Sequence, residues 1–303
     1  MILVNSGVLA GIEAFLIDVE VDVRPGLPGF EIVGLPSATV RESRERVRSA
    51  LRNSGFKFPA QKVIVNLAPA HYRKDGALLD LPIALGILAH LGLIKRQKLK
   101  DAIVVGELSL SGRIKRVSGI LSLAELAQRL GFRLVIPEAN RREAALLGGG
   151  SYFILAESLP SLLRNLNSKN GAGGIGAVEM VTPPAPGAAK AIKGQASAKR
   201  ALEIAAAGGH HIMLLGPPGV GKTLLATSAL ALLPPLHRNE VIVLNKIYEA
   251  AGLLKEQCGA IASRPLRAPH HSISQAGLIG GRRGLPGEIT LAHGGILLLD
   301  EFP

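Results

Sequence analysis

Apolar and polar residues alternate from Ala14 to Val23, which predicts a strand with Asp18, Glu20 and Asp22 on one side. From Thr39 to Asn53 the period lengthens: Val40, Val47, Ala50 and Leu51 recur at helical spacing and the arginines lie outside them. Gly26, Pro28, Gly29, Gly34 and Pro36 punctuate loops between the two. Further on, Val63 to Leu67, Ile103 to Val105 and Leu134 to Ile136 read as strands, the last ending at Pro137. Leu78 to Leu91 reads as a buried helix and Leu121 to Leu130 as another helix. Leu108 to Ile114 predicts a hairpin turning at Ser111-Gly112. The pattern is that of a mixed α/β domain without an internal repeat.

That pattern stops at residues 167–190, where Gly, Ala and Pro leave almost no apolar periodicity. Such composition cannot close a core and predicts a linker between a first domain, 1–166, and a second, 191–303. In the second domain Gln195 to Ala207 predicts a helix and His211 to Leu215 a short buried strand. Another helix begins around Gly221, and Glu240 to Leu254 reads as helical. Gly287 to Ala292 predicts a short helix leading into a strand, Ile296 to Leu299. The order is strand, loop, helix, a long excursion, then strand.

Size and composition narrow the classes. The 303 residues are 48% hydrophobic, enough for two real cores, which excludes a disulfide-stapled miniprotein and a disordered tail. The single cysteine, Cys258, permits no intrachain disulfide and no multi-thiolate zinc site; it reads as a small buried hydrophobe in a reducing compartment. The amino terminus lacks a signal-peptide pattern. The most apolar stretch, Leu78 to Ile94, contains Asp80, Pro82 and His90 and falls short of the roughly 20 residues that span a bilayer. The expectation is a soluble cytoplasmic protein with no membrane partner.

Charge adds a second constraint. Net charge is +12, of which residues 1–170 carry +8 and the remainder +4. The densest cluster is Arg41, Arg44, Arg46, Arg48 and Arg52. Such an excess suits a polyanion, whose counterions the cations displace, or else a solvated helix face that Glu42 and Glu45 partly neutralise.

The chemistry concentrates in Gly216, Pro217, Pro218, Gly219, Val220, Gly221, Lys222 and Thr223, which match G-x-x-x-x-G-K-[ST] between an apolar run and a helical one. Glycines let successive amides turn inward around an anion, and the following helix adds its dipole. Lys222 is expected on the β- and γ-phosphates of ATP, and the Thr223 hydroxyl on Mg²⁺. Downstream, an apolar run ends in Asp300 and Glu301, at the carboxyl end of a strand where α/β sheets place ligands. Asp300 is expected to hold Mg²⁺ and Glu301 to deprotonate the attacking water. The histidine pairs His210-His211 and His270-His271 are poor chelates, since adjacent imidazoles diverge, so no metal beyond Mg²⁺ is expected.

At these residues the chain resembles the magnesium-chelatase-like AAA+ ATPases, in particular the bacterial ComM (YifB) group, over nearly its whole length. The resemblance is carried by KGQASAKRALEIAAAGGHHIMLLGPPGVGKT, RPLRAPHHSISQAGLIGG and PGEITLAHGGILLLDEFP. It implies a RecA-like, P-loop parallel-sheet core with an insert between the two nucleotide motifs. It also implies a hexameric ring, and for that group an ATP-driven helicase that migrates DNA branches during natural transformation. Ile192 and Gly194 would then lie near the adenine. The stretch GGRRGLPGE departs from relatives that have more glycines there, and Arg282 and Arg283 are expected in an exposed turn or a basic pore loop.

The first domain, through RKDGALLDLPIALGILA, VGELSLSGRIKRVSGI and LVIPEANRREA, is similar to the Lon proteolytic domain. The resemblance puts Leu78 where the nucleophilic Ser would be and Leu121 about where the Lys base would be, and a leucine has no lone pair for either task. A protease fold reused as a ring-forming scaffold is expected, with Lys57, Lys62, Arg73 and Lys74 as candidate contacts to single-stranded or branched DNA. The alternatives are the ATPase subunit of magnesium chelatase itself and a Lon-like ATP-dependent peptidase. The family's sensor, arginine finger and lid are expected after Pro303. The Lon-like domain and incomplete AAA+ core alone are therefore expected to hold nucleotide without turning it over.

Overall fold

In this computed structural model the described residues are 1–72, 74, 76–147, 150, 152–167, 192–254, 260–281 and 285–300. The chain divides into two compact units, Met1–Val178 and Glu179–Pro303. Nearly all of the predicted linker, residues 168–190, lies outside the described residues, as do Arg73, Cys258, Arg282, Arg283 and Glu301.

The first unit is a mixed α/β domain. Its strands are β1 (Ile2–Ala10), β2 (Glu13–Arg24), β3 (Gly29–Val33), β4 (Lys62–Ala68), β5 (Ala102–Val104), β6 (Glu107–Leu108), β7 (Ile114–Lys115), β8 (Arg133–Pro137) and β9 (Phe153–Ala156). The helices are α1 (Ala38–Asn53), α2 (Asp80–His90), α3 (Gln97–Lys100), α4 (Ile120–Leu130), α5 (Arg141–Leu146) and α6 (Leu159–Asn167). Seven strands form one sheet in the order β3-β4-β2-β1-β5-β8-β9. The β1–β2 and β2–β4 ladders are antiparallel, and the other four are parallel.

The sheet separates two apolar layers. One packs α1 and α2 against one face through Val40, Val47, Leu51, Leu85 and Val65; the other packs α4 and α5 through Leu123, Ala127 and Ala144. Gly86 lets α2 press on β2 and β1, because a Cβ there would stand 2.4 Å from Val21 Cγ2. The two-stranded hairpin β6–β7 turns at Gly112, whose φ of +80° no side chain tolerates well.

The second unit contains α7 (Ala196–Gly208), α8 (Lys222–Ser228), α9 (Arg238–Ala250), β10 (Leu266–Arg267), α10 (Gln275–Ile279), α11 (Glu288–Leu291) and β11 (Ile296–Leu297). Helix α7 packs on α8. Helix α9 starts in a capping box in which the backbone N–H of His237 donates to Glu240 Oε2 at 2.7 Å.

Two expectations for this unit are corrected. Residues 211–215 have an apolar sequence but form no ladder, and Met213 and Leu215 are 73% and 83% exposed. A strand exists by pairing, and among the described residues no neighbour supplies the bonds. The run Ile296 to Leu299 forms only the two-residue β11, partly buried and paired in parallel with β10, so it is not a central strand covered on both faces.

Candidate functional site

The phosphate-loop sequence forms an exposed turn leading directly into α8. Gly219 and Gly221 take φ of +81° and +85°, the left-handed conformation that the alternating turn requires and that side chains resist. Lys222 folds back over this loop, its Nζ donating to the carbonyls of Gly216 at 2.9 Å and Pro217 at 3.0 Å. Its ammonium is thus held at the mouth of the turn by neutral acceptors that a phosphate oxygen can replace. Gly216, Pro217, Pro218, Gly219 and Val220 are all exposed, so the loop is open to a ligand.

Across the unit, Thr223 Oγ1 donates to Asp300 Oδ2 at 2.9 Å, although the two lie 77 residues apart. Two hard oxygen ligands thereby converge beside the loop, the donor chemistry that Mg²⁺ prefers. Both are exposed. Glu301 follows Asp300 and lies outside the described residues. Ile192 and Gly194 stand before the start of α7; the Ile192 carbonyl accepts from Lys199 Nζ at 2.5 Å, and Gly194 has φ +71°. Both residues lie on the segment that leads into α7, which packs on the loop helix α8.

What delivers Asp300 to Thr223 is a chain of contacts that motif reading did not assign. Arg267 donates from Nε and Nη2 to the two carboxylate oxygens of Glu288, both at 2.6 Å, joining the RPLR and PGEI segments. This guanidinium holds the Glu288 carboxyl below its ordinary range, the hydrogen bond being the leading cause. The Arg267 carbonyl then accepts the Leu298 N–H at 2.8 Å, two residues before Asp300. Arg264 donates from Nη1 to the Gly294 carbonyl and from Nε to the Pro234 carbonyl, each at 2.5 Å. Tyr248 of α9 donates its hydroxyl to the Leu291 carbonyl at 3.0 Å. Gly295 completes the arrangement: its backbone comes so near the start of β10 that a Cβ would meet the Pro265 carbonyl oxygen at 2.0 Å.

In the first unit the residues that the Lon resemblance aligns with nucleophile and base are packing residues. Leu121 is fully buried in α4, and Leu78 lies partly buried against both apolar layers. Lys74, expected to contact DNA, is instead fully buried, with Nζ donating to the Pro69 carbonyl. Burial lowers its affinity for a proton below the ordinary lysine range. A side chain without solvent access cannot touch a phosphate. Lys62 is taken up by an ion pair with Glu31 at 2.9 Å, and Lys57 is exposed.

A family model described as subunit ChlI of Mg-chelatase matches residues 19–140, and one described as magnesium chelatase, subunit ChlI, matches residues 188–303. The chain is 41% identical over 307 residues to the uncharacterized protein YifB of Salmonella typhimurium, covering 99% of this chain and 59% of that protein. It is 41% identical over 312 residues to the competence protein ComM of Haemophilus influenzae, covering 99% and 60%. Both models describe the ChlI subunit of magnesium chelatase, and with the YifB and ComM relatives they make the chain similar to the magnesium-chelatase-like ComM/YifB family. The uncharacterized protein Rv2897c of Mycobacterium tuberculosis is 38% identical over 299 residues, 98% of this chain and 59% of that protein. This chain therefore spans about three-fifths of the length of the curated relatives it matches. Among the described residues no helix is long and apolar enough to cross a membrane.

Proposed function

We propose that this chain carries the nucleotide-binding site of an AAA+ motor that acts on single-stranded or branched DNA, in the manner of a branch-migrating helicase. The observation that carries the reading is the convergence of Thr223 and Asp300 beside the phosphate-loop lysine.

In this reading the amides of Gly219 to Thr223 surround the β- and γ-phosphates of ATP, and Lys222 exchanges its two carbonyl partners for phosphate oxygens. Thr223 and Asp300 are the residues that would hold Mg²⁺, which neutralises charge on the phosphates when bound. Glu301 orients and deprotonates the attacking water. Ile192 and Gly194 border the adenine. Hydrolysis is proposed for the whole protein, assembled as a cytoplasmic homohexamer. Residues 1–166 serve as a non-proteolytic platform joined through 167–190 to the ATPase core at 191–303. The net charge of +12 and the name of the competence relative support a DNA partner.

A second reading, the ATPase subunit of a chelatase, is favoured by the descriptions of both family models. The two are separated by adding forked DNA or protoporphyrin to the full-length protein and following ATP turnover. Stimulation by DNA alone supports the motor; stimulation by porphyrin alone replaces it with the second reading.

A further inference from the structure

The basic cluster of α1 is not one surface. At about 100° per residue, Arg41, Arg44, Arg48 and Arg52 share a sector roughly 80° wide, whereas Arg46 falls about 140° from Arg41. Arg46 is occupied: it donates from Nε and Nη2 to the two oxygens of Asp80, at 2.7 and 3.0 Å, and Asp80 is fully buried. It therefore contributes to the core and not to the outer charge.

The other four have a different environment. Arg41, Arg44 and Arg52 are exposed, and Arg48 is half-buried. Arg44 donates to two neutral carbonyls, those of Arg41 at 3.1 Å and Phe30 at 3.5 Å. The Arg48 guanidinium lies 5.2 Å from the centre of the Phe58 ring, and its Nε is buried without a hydrogen-bond partner among the described residues. No carboxylate among the described residues pairs with any of the four. The carbonyl contacts of Arg44 and the ring contact of Arg48 orient these two guanidinium groups without an ion pair, while Glu45 on the same helix offsets only part of the charge of the four. Lys57, which precedes Phe58 in the chain, is also exposed.

We propose that this flank of α1, with Arg41, Arg44, Arg48 and Arg52, binds the sugar–phosphate backbone of a nucleic-acid strand. The row is about 16 Å long at 1.5 Å per residue, the reach of roughly five phosphates at 3.4 Å per nucleotide. Arginine suits the task because its planar fork matches phosphate oxygens. A membrane surface fits less well: the apolar side chains of α1, Val40, Val47, Ala50 and Leu51, are wholly within the core and leave the helix no apolar face to insert. The proposal deepens the DNA-acting reading by naming a contact surface, and it does not depend on the nucleotide site.

The test uses the full-length parent protein and an oligothymidylate, with binding followed across a salt series. Arg41→Gln, Arg44→Gln and Arg52→Gln are combined in one variant, sparing Arg48, which packs on Phe58. A control removes equal charge from another exposed basic segment through Lys95→Gln, Arg96→Gln and Lys100→Gln. The α1 variant is expected to lower the slope of log affinity against log salt by about 2, at roughly 0.7 for each phosphate no longer neutralised, while the control leaves it unchanged. Nucleotide affinity measured on the same samples stays at the parental value. Equal losses in both variants, no loss in the α1 variant, or a parent without affinity for the strand would overturn the proposal. So would arginine-dependent binding to phosphatidylserine vesicles with strand binding intact. A parent that binds the strand through α1 but binds no nucleotide would leave this surface standing and remove the motor reading instead.

Discussion

Thr223 Oγ1 donates a hydrogen bond to Asp300 Oδ2 at 2.9 Å, closing a loop of 77 residues at the end of the phosphate turn. The pair makes a hydroxyl and a carboxylate available to one cation, and it gives the first prediction. Thr223→Ala should weaken Mg²⁺–ATP binding by about 1.4–2.8 kcal/mol, roughly 10- to 100-fold in Kd. Thr223→Ser, which keeps the hydroxyl, should remain within a few-fold of the parent. Titration of a fluorescent ATP analogue with Mg²⁺ and then with chelator checks it, because the alanine effect should shrink when the cation is withdrawn.

Arg267 and Glu288 give a pH dependence with a definite sign. The Arg267 hydrogen bond lowers Glu288 from its ordinary value of 4.5, so the folded state holds the carboxylate ionised more firmly than the unfolded chain does. Its stabilisation is therefore present above the ordinary value and lost as pH falls through the lower folded value. Glu288→Gln should cost about 1–2 kcal/mol at neutral pH and flatten the acid side of the stability curve. Urea unfolding across a pH series, followed by a probe in the second unit, measures both effects.

Gly295 is predicted to tolerate no side chain. A methyl group would meet the Pro265 carbonyl oxygen at 2.0 Å and push β11 away from β10. Gly295→Ala should cost about 1–3 kcal/mol of stability. Because Asp300 follows β11, the variant should also lose Mg²⁺-dependent nucleotide affinity, which calorimetry would show alongside the drop in Tm.

The buried pair in the first unit predicts an asymmetric result. Asp80 is fully buried; burial raises its carboxyl above the ordinary range, while the Arg46 hydrogen bond and the Leu108 N–H oppose that shift. Arg46→Ala leaves the carboxylate unpaired and should cost about 3–5 kcal/mol. Replacing both partners by apolar residues of similar size should cost much less. Chemical unfolding of the two variants distinguishes them.

Legibility in the sequence followed the physics of each element. Helix α1, strands β2 and β4 and helix α4 each bury one side, so their periodicity predicts them. Strand β1 escaped because it is buried on both sides over Val4 to Val8, which erases the alternation. Strand β3 was hidden by the glycines and prolines around it, and β9 and α6 follow a glycine run, Gly148 to Gly150, that interrupts the apolar pattern. At the proposed site the motif singles out Lys222, Thr223 and Asp300, because phosphate and Mg²⁺ chemistry would restrict residue type, and the structure brings Thr223 and Asp300 together. The Arg267–Glu288 clamp was not, since nothing local tells a guanidinium which distant carboxylate it will meet. The same blindness placed Lys74 on the surface and counted Arg46 with its neighbours, when one is buried against a backbone carbonyl and the other is bound to Asp80.

The central claim is that the turn ending in Lys222 grips a triphosphate, and the most direct measurement is ATP affinity of Lys222→Ala in the full-length protein. Loss of the ammonium should raise Kd by about 10-fold or more while the far-ultraviolet spectrum and Tm stay near the parent's. An unchanged Kd in a properly folded variant would contradict the account.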